Sequence, residues 1–390
     1  MMKRVLFLLL SVGTLFPVML NAKELSSFVA NRVNSAFVLQ QQDNNVAAIE
    51  LLERTKTRND YDLGYVQRML AVLYWQQEES DKTKRALVKA IESNGLPQPL
   101  LLSTQRMLGD ILFSEQHYVL AIEQYTKLVS TLQSATEIDN AQQDSLLSST
   151  LLRLAKANYQ LQHWQVVLDT MARYQQLIPQ LTTRERELLL GAYLALKQWE
   201  NALIVVENIK ATEPKKARWW KYQIDLQLQL KQYSMALSSL KQYQRAGFSL
   251  TKRELMTMAQ LYQQQGSPEL AARIYQNDID DKNAQDWATE AGYWQQAKAF
   301  SLALVAWNNA RQKESRYHWS YVQLLMRDKQ YQQVISELDL FNRLTQQQWL
   351  TKTEAYFYLG ELEMARQSAR RADDIKSDGQ TARWLAYFDR

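Results

Sequence analysis

Cysteine is absent from all 390 residues. That excludes disulfides and thiolate chemistry, and it also excludes a lipid-anchored N-terminus, which needs a cysteine after the cleavage point. Histidine is nearly absent: His117, His163 and His318 lie far apart, with no HxxxH spacing or carboxylate partner in sequence, so neither metal binding nor histidine catalysis is expected. The chain also lacks a GxSxG motif, a glycine-rich phosphate loop and a nucleophile beside a base. Asp280-Asp281 and Asp373-Asp374 are paired carboxylates in sequence only, in turn or helix-end positions. No active site, cofactor or metal site is expected. The formal charge of +5 includes Lys3 and Arg4, and without them it is +3. So small an excess argues against a nucleic-acid binder.

Long apolar runs are missing too, except at the start. Lys3-Arg4 supplies a positive n-region, Val5 to Leu10 and onward an apolar h-region, and Leu20-Asn21-Ala22 a small-residue cleavage site. The apolar part, about 15 residues broken by Ser11, Gly13 and Pro17, is shorter than the ~20 a bilayer needs. Residues 1–22 therefore read as a secretory signal cleaved after Ala22, which releases a mature chain that does not span a membrane and places it in the periplasm.

Against these absences stands strong helical periodicity. In Leu188 to Pro214, Leu189, Leu190, Tyr193, Leu194 and Leu196 recur at three- and four-residue spacing. Lys197-Gln198 breaks the run, Trp199, Ala202, Leu203, Val206 and Ile209 restart it, and Pro214 stops it. The pattern predicts two antiparallel helices whose backbones approach closely at the small residue Ala202.

The same phase returns along the chain. A small slot falls at Ala48, Thr83, Ala121, Val167, Ala202, Ala236, Ala271, Ala303, Val334 and Ala365, at intervals of 35, 38, 46, 35, 34, 35, 32, 31 and 31 residues. Four positions on stand Leu52, Leu87, Tyr125, Met171, Val206, Leu240, Tyr275, Trp307, Leu338 and Ala369, nine of them large and apolar. The prolines fit this register. Pro97 and Pro99 lie in a turn, Pro179 and Pro214 come twelve residues after a small slot, and Pro268 opens a helix behind Ser267, read as its cap. Gly266 and Gly360 fall at turns within hairpins.

The expected fold is all-α: a right-handed α-solenoid of about ten hairpins in one domain over 23–390. Residues 23–60 form an atypical first hairpin, with Phe28, Val29, Val33, Phe37 and Val38 on one helix and Val46, Ala47, Ile49, Leu51 and Leu52 on the other. The polar segment 131–144 accounts for the 46-residue interval, as longer helices around a short loop or as a surface loop, with longer helices favoured. Residues 376–390, carrying Trp384, Leu385, Tyr387 and Phe388, form a capping helix.

The block Met107 to Leu128, MLGDILFSEQHYVLAIEQYTKL, resembles the tetratricopeptide repeat (TPR), with Leu108-Gly109 on the first helix and Tyr118, Ala121 and Tyr125 on the second. The resemblance covers residues 28 to 375 and implies a protein-binding scaffold. Projecting the first helices of the middle hairpins onto a concave face gives candidate groove residues Lys156, Tyr159, Arg184, Glu187, Arg218, Lys221, Asp225, Gln229, Arg253, Gln260, Gln263 and Gln264. Within them Arg184, Arg218, Lys221 and Arg253 suggest capture of an acidic or extended polar peptide. The eleven tryptophans invite a sugar-stacking reading, but most occupy repeat positions; Trp219, Trp319 and Trp384 are not placed by the register.

The whole chain also resembles periplasmic TPR proteins associated with TonB-type energy-transduction systems of gammaproteobacteria. The resemblance is carried by MKRVLFLLL, KELSSFVANRVNSAFVLQQQ and GDILFSEQHYVLAIEQYTKLV. It implies a non-catalytic accessory to a TonB, ExbB and ExbD assembly, supporting outer-membrane iron-chelate uptake. A periplasmic scaffold for peptidoglycan or secretion machinery is the alternative.

Overall fold

A computed structural model of the chain describes residues 24–389, and the signal assigned to residues 1–22 lies outside them. The described residues are all-α, an α-solenoid of helical hairpins. In order they are α1 (Ser27–Gln41) with α2 (Asn45–Glu53), α3 (Asp60–Gln76) with α4 (Ser80–Glu92), and α5 (Gln98–Ser114) with α6 (Tyr118–Gln133). Next come α7 (Asn140–Gln160) with α8 (Trp164–Leu177), α9 (Thr183–Ala195) with α10 (Trp199–Thr212), and α11 (Ala217–Gln229) with α12 (Tyr233–Arg245). Then follow α13 (Lys252–Gln264) with α14 (Pro268–Asp278), α15 (Ala284–Gln296) with α16 (Phe300–Lys313), and α17 (His318–Arg327) with α18 (Tyr331–Leu338). Last are α19 (Gln346–Tyr358) with α20 (Leu362–Ile375), and the single helix α21 (Gly379–Phe388).

One turn builds every hairpin. Five residues before each small slot the backbone enters the left-handed region, at Asp43, Glu78, Gln116, Gln162, Lys197, Lys231, Gly266, Lys298, Lys329 and Gly360. The N–H of the following residue then reaches back to a carbonyl five positions earlier, as in Asn44 to Leu39 at 2.9 Å, Gln232 to Gln227 at 2.8 Å and Glu361 to Tyr356 at 3.0 Å. This closure satisfies orphan carbonyls of the first helix and reverses the chain. It also occupies the N-cap residue of the second helix. Ser267 is such a residue: it stands at the N-cap of α14 but makes no side-chain cap bond, so the expected serine cap is corrected to a backbone closure onto Tyr262 at 2.9 Å. Six of the ten first helices are instead capped by side chains, by Asn59 on α3, by Asp139 on α7, and by reciprocal capping boxes at Thr182–Glu185, Thr251–Glu254, Asn283–Asp286 and Thr345–Gln348.

All ten small-slot residues are fully buried, at 0% exposure. Of the residues four positions on, nine are buried and Trp307 is half-buried, its indole N–H donating to Gln295 at 2.8 Å. Gly109 shows how tight the contact is, because a Cβ there would lie 2.6 Å from the Tyr125 ring. In segment 131–144, α6 extends to Gln133 and α7 runs 21 residues from Asn140. The short loop between them is pinned by Gln98, whose Oε1 accepts the N–H groups of Thr136 and Glu137, each at 2.9 Å.

The helices pack as two compact units, one ending at Val205 and the other beginning at Val206, within α10. The first is centred on Leu70, Leu73, Leu87, Leu108 and Ile111. The second holds one cluster around Leu237, Leu240 and Tyr275, and another around Trp294, Leu325, Leu338 and Tyr356. Phe388 of α21 packs on the latter, and the Thr381 hydroxyl donates to Asp373 of α20 at 2.7 Å.

Candidate protein-binding surfaces

Of the candidate groove residues, Lys156, Tyr159, Arg184 and Glu187 belong to the first unit, on α7 and α9. Lys156 and Arg184 are exposed, whereas Tyr159 and Glu187 are half-buried. Tyr159 packs edge-on against Trp164 at 5.0 Å and fills the space left by Gly191 on α9, so it joins two hairpins.

The other eight lie in the second unit, on α11 and α13. Arg218 sits over the Trp219 ring at 4.0 Å, and Trp219 is one of the most buried large side chains, at 1% exposure. Lys221 crosses from α11 to α13 and pairs with Glu254 at 2.9 Å. Burial raises the Asp225 carboxyl above its usual range, and the nearby Arg253 guanidinium opposes that shift. On these two helices the basic residues expected to capture an acidic peptide therefore sit in a mixed cluster, with Glu254 and Asp225 beside Lys221 and Arg253. The sequence did hold the signal for Glu254, since Thr251-x-x-Glu254 before an apolar run is a capping box. Gln229, Gln260 and Gln264 are exposed, and Gln263 reaches Gln296 on α15 at 3.3 Å.

A concavity lies elsewhere in that unit, on the first helices α17 and α19, the start of α18 and α21. Two adjoining depressions, of about 480 and 400 Å³, share Gln347, Thr351 and Glu354. Aromatic rings line them: Phe357 meets Trp384 at 5.3 Å and Tyr387 at 5.4 Å, while Tyr331 stacks on Tyr358 at 4.8 Å beside Trp319. Trp319 and Trp384, unplaced by the register, thus belong to one surface. Glu354 has no hydrogen-bond or ion-pair partner among the described residues, and burial pushes its carboxyl above the usual glutamate range. Arg327, Lys329 and Arg383 stand at the margins. Rings, a lone carboxylate and marginal cations on an open face suit an extended polymer better than an enclosed small molecule.

His318 gains a carboxylate that sequence spacing did not reveal. Its Nε2 lies 2.7 Å from Glu337, which also accepts from Arg311 at 3.0 Å. No group of three or more His, Cys, Asp or Glu is placed to hold a metal ion among the described residues. No described helix is long and apolar enough to cross a membrane.

No protein-family model matches the chain, and no curated protein does. Solved structures with related helical architecture include Naa15/Naa10 bound to HypK-THB, at 10% identity and TM-score 0.47 over 93% of this chain; the match spans 66% of that chain. MamA matches at 15% identity and TM-score 0.35, over 49% of this chain and 98% of that one. The C-terminal part of a TPR repeat-containing protein from Cytophaga hutchinsonii matches at 14% and 0.37, over 73% and 95%. At such identities and scores the likeness carries no argument about function. The chain's own ten hairpins, each with a left-handed turn five residues before a fully buried small residue, make it a TPR-like helical-repeat protein.

Proposed function

We propose that this chain is a non-catalytic, periplasmic interaction scaffold, an accessory of a TonB–ExbB–ExbD energy-transduction system that supports outer-membrane iron-chelate uptake. The observation that carries the scaffold reading is the aromatic-lined concavity over α17, α19 and α21, where rings and the unpaired Glu354 are offered on an open face. Export is supported by the charged, apolar and small-residue order of residues 1–22, and the TonB assignment by the sequence resemblance. Scaffolding of peptidoglycan machinery is the second reading, favoured by exposed rings such as Tyr387 that suit saccharide faces.

Affinity capture of the tagged protein after cross-linking in its own cells tests the assignment. Recovery of TonB, ExbB or ExbD supports it, recovery of wall-synthesis or secretion components supports the second reading, and recovery of neither removes both. N-terminal sequencing tests export directly: a mature start at Lys23 in the periplasmic fraction is expected, and Met1 retained in membranes contradicts it.

A further inference from the structure

A second opening lies in the first unit, between α1 and α3. Helix α1 carries one charged residue, Arg32, and leaves Phe37 46% exposed. Opposite, α3 presents Tyr65, Arg68, Met69 and Val72, so an apolar groove of about 300 Å³ forms with Gln40 and Gln41 at its rim.

Arg68 is out of place on such a wall. The residue is half-buried, its Nε is buried with no hydrogen-bond partner, and its guanidinium makes no ion pair among the described residues. Burial pushes its pKa down, the direction of a charge short of compensation. Buried charges are ordinarily paired, because an uncompensated one keeps its full desolvation cost. Three carboxylates of the same unit are engaged otherwise: Asp62 accepts from Ser26 and Asn59, Glu53 from Tyr74, and Asp110 from Tyr125 and Arg153.

We propose that the groove between α1 and α3 docks an extended protein segment in which a large apolar side chain neighbours an Asp or Glu. The apolar side chain lies on Phe37, Met69 and Val72, and the carboxylate supplies the counter-charge for Arg68. A planar guanidinium in an apolar setting is suited to a bidentate carboxylate, which gives the site its selectivity. The rim glutamines favour a peptide over a fatty acid, because they offer amide donors and acceptors that a polypeptide backbone uses and an alkyl chain does not. This surface is independent of the concavity over α17, α19 and α21.

The test is fluorescence polarisation on the purified full chain with a labelled peptide, Gly-Ser-Phe-Glu-Leu-Ser-Gly, and its counterpart with Gln in place of Glu. The wild-type protein should prefer the acidic peptide about ten-fold, less so at high salt, and Arg68→Gln should bind both peptides alike. Arg68→Lys, which keeps the charge but loses the fork, should fall between. Without ligand, Arg68→Gln should melt no lower than the wild type, since it removes an uncompensated charge; that readout separates loss of binding from loss of fold. Equal binding of the two peptides by the wild type, an acidic preference retained in Arg68→Gln, or laurate binding without peptide binding would each overturn the proposal.

Discussion

Lys282 donates to Glu290 at 2.7 Å with both side chains buried, at 5% and 4% exposure. Lys282 also lies over the Trp287 ring at 4.1 Å, and the Trp294 indole donates to the other Glu290 oxygen at 3.4 Å. A buried pair roughly breaks even against apolar residues of similar size, whereas losing one partner strands a charge. Lys282→Ala or Glu290→Ala alone should therefore cost about 3–5 kcal/mol, while Lys282→Met with Glu290→Leu should come close to neutral. Urea unfolding of the three variants distinguishes the outcomes, and additive single effects would rule out the coupling.

The turns offer a second test. Eight of the ten left-handed turn positions hold residues other than glycine, among them Gln162 and Lys231. A side chain there is strained, and its replacement by glycine relieves more than the added freedom of the unfolded chain takes back. Lys231→Gly should raise stability by roughly 0.5–1 kcal/mol, and Gly266→Ala should lower it by about as much, although a Cβ at Gly266 meets open space. Thermal unfolding that moved the other way would contradict the turn geometry.

Ala202 is fully buried on the second helix of its hairpin, at the slot whose phase calls for a small residue. Ala202→Trp should cost at least ~1–3 kcal/mol by overpacking. Unchanged unfolding would mean that the repeat register is misplaced.

Two glutamates should respond to pH in opposite senses. For Glu185, burial raises the carboxyl, but hydrogen bonds from Thr182 N–H at 2.7 Å and Tyr174 O–H at 2.9 Å outweigh it and hold the group below its usual range. The unfolded chain binds the proton more readily, so this stabilisation is present at neutral pH and lost as pH falls through the depressed value. For Glu354 burial alone raises the carboxyl, so the folded chain holds the proton and the cost grows as pH rises through the glutamate range. Glu185→Gln should weaken the fold at pH 7 and reduce its acid sensitivity, whereas Glu354→Gln should strengthen it at pH 7 and change little at pH 3. Urea titrations across pH 3–8 measure both slopes.

Hairpins and slots were legible because close helix approach accepts only small residues at fixed phase, and Ala48, Ala121 and Ala271 state that phase in composition alone. Turn geometry was mostly hidden, since only Gly266 and Gly360 announce a left-handed backbone and Lys197 or Gln162 do not. The candidate surface was legible only in part. Periodicity identifies which side of a first helix avoids its own hairpin, but not which neighbour reaches across it, so it puts Tyr159 on a groove wall without showing that the ring fills the space at Gly191. The concavity around Glu354 requires α17, α19 and α21 to leave their rings uncovered together, a property of packing that no single segment contains.

Occlusion of that concavity tests the scaffold reading most directly. Gln347 is exposed and lines both depressions, so Gln347→Trp fills the opening without entering the core, and Glu354→Arg reverses its one carboxylate. Quantitative cross-linked capture should recover envelope partners with the wild-type protein and lose them at least about ten-fold with either variant, both folded by circular dichroism. Partner recovery unchanged by both substitutions would contradict the assignment of this face as the binding surface.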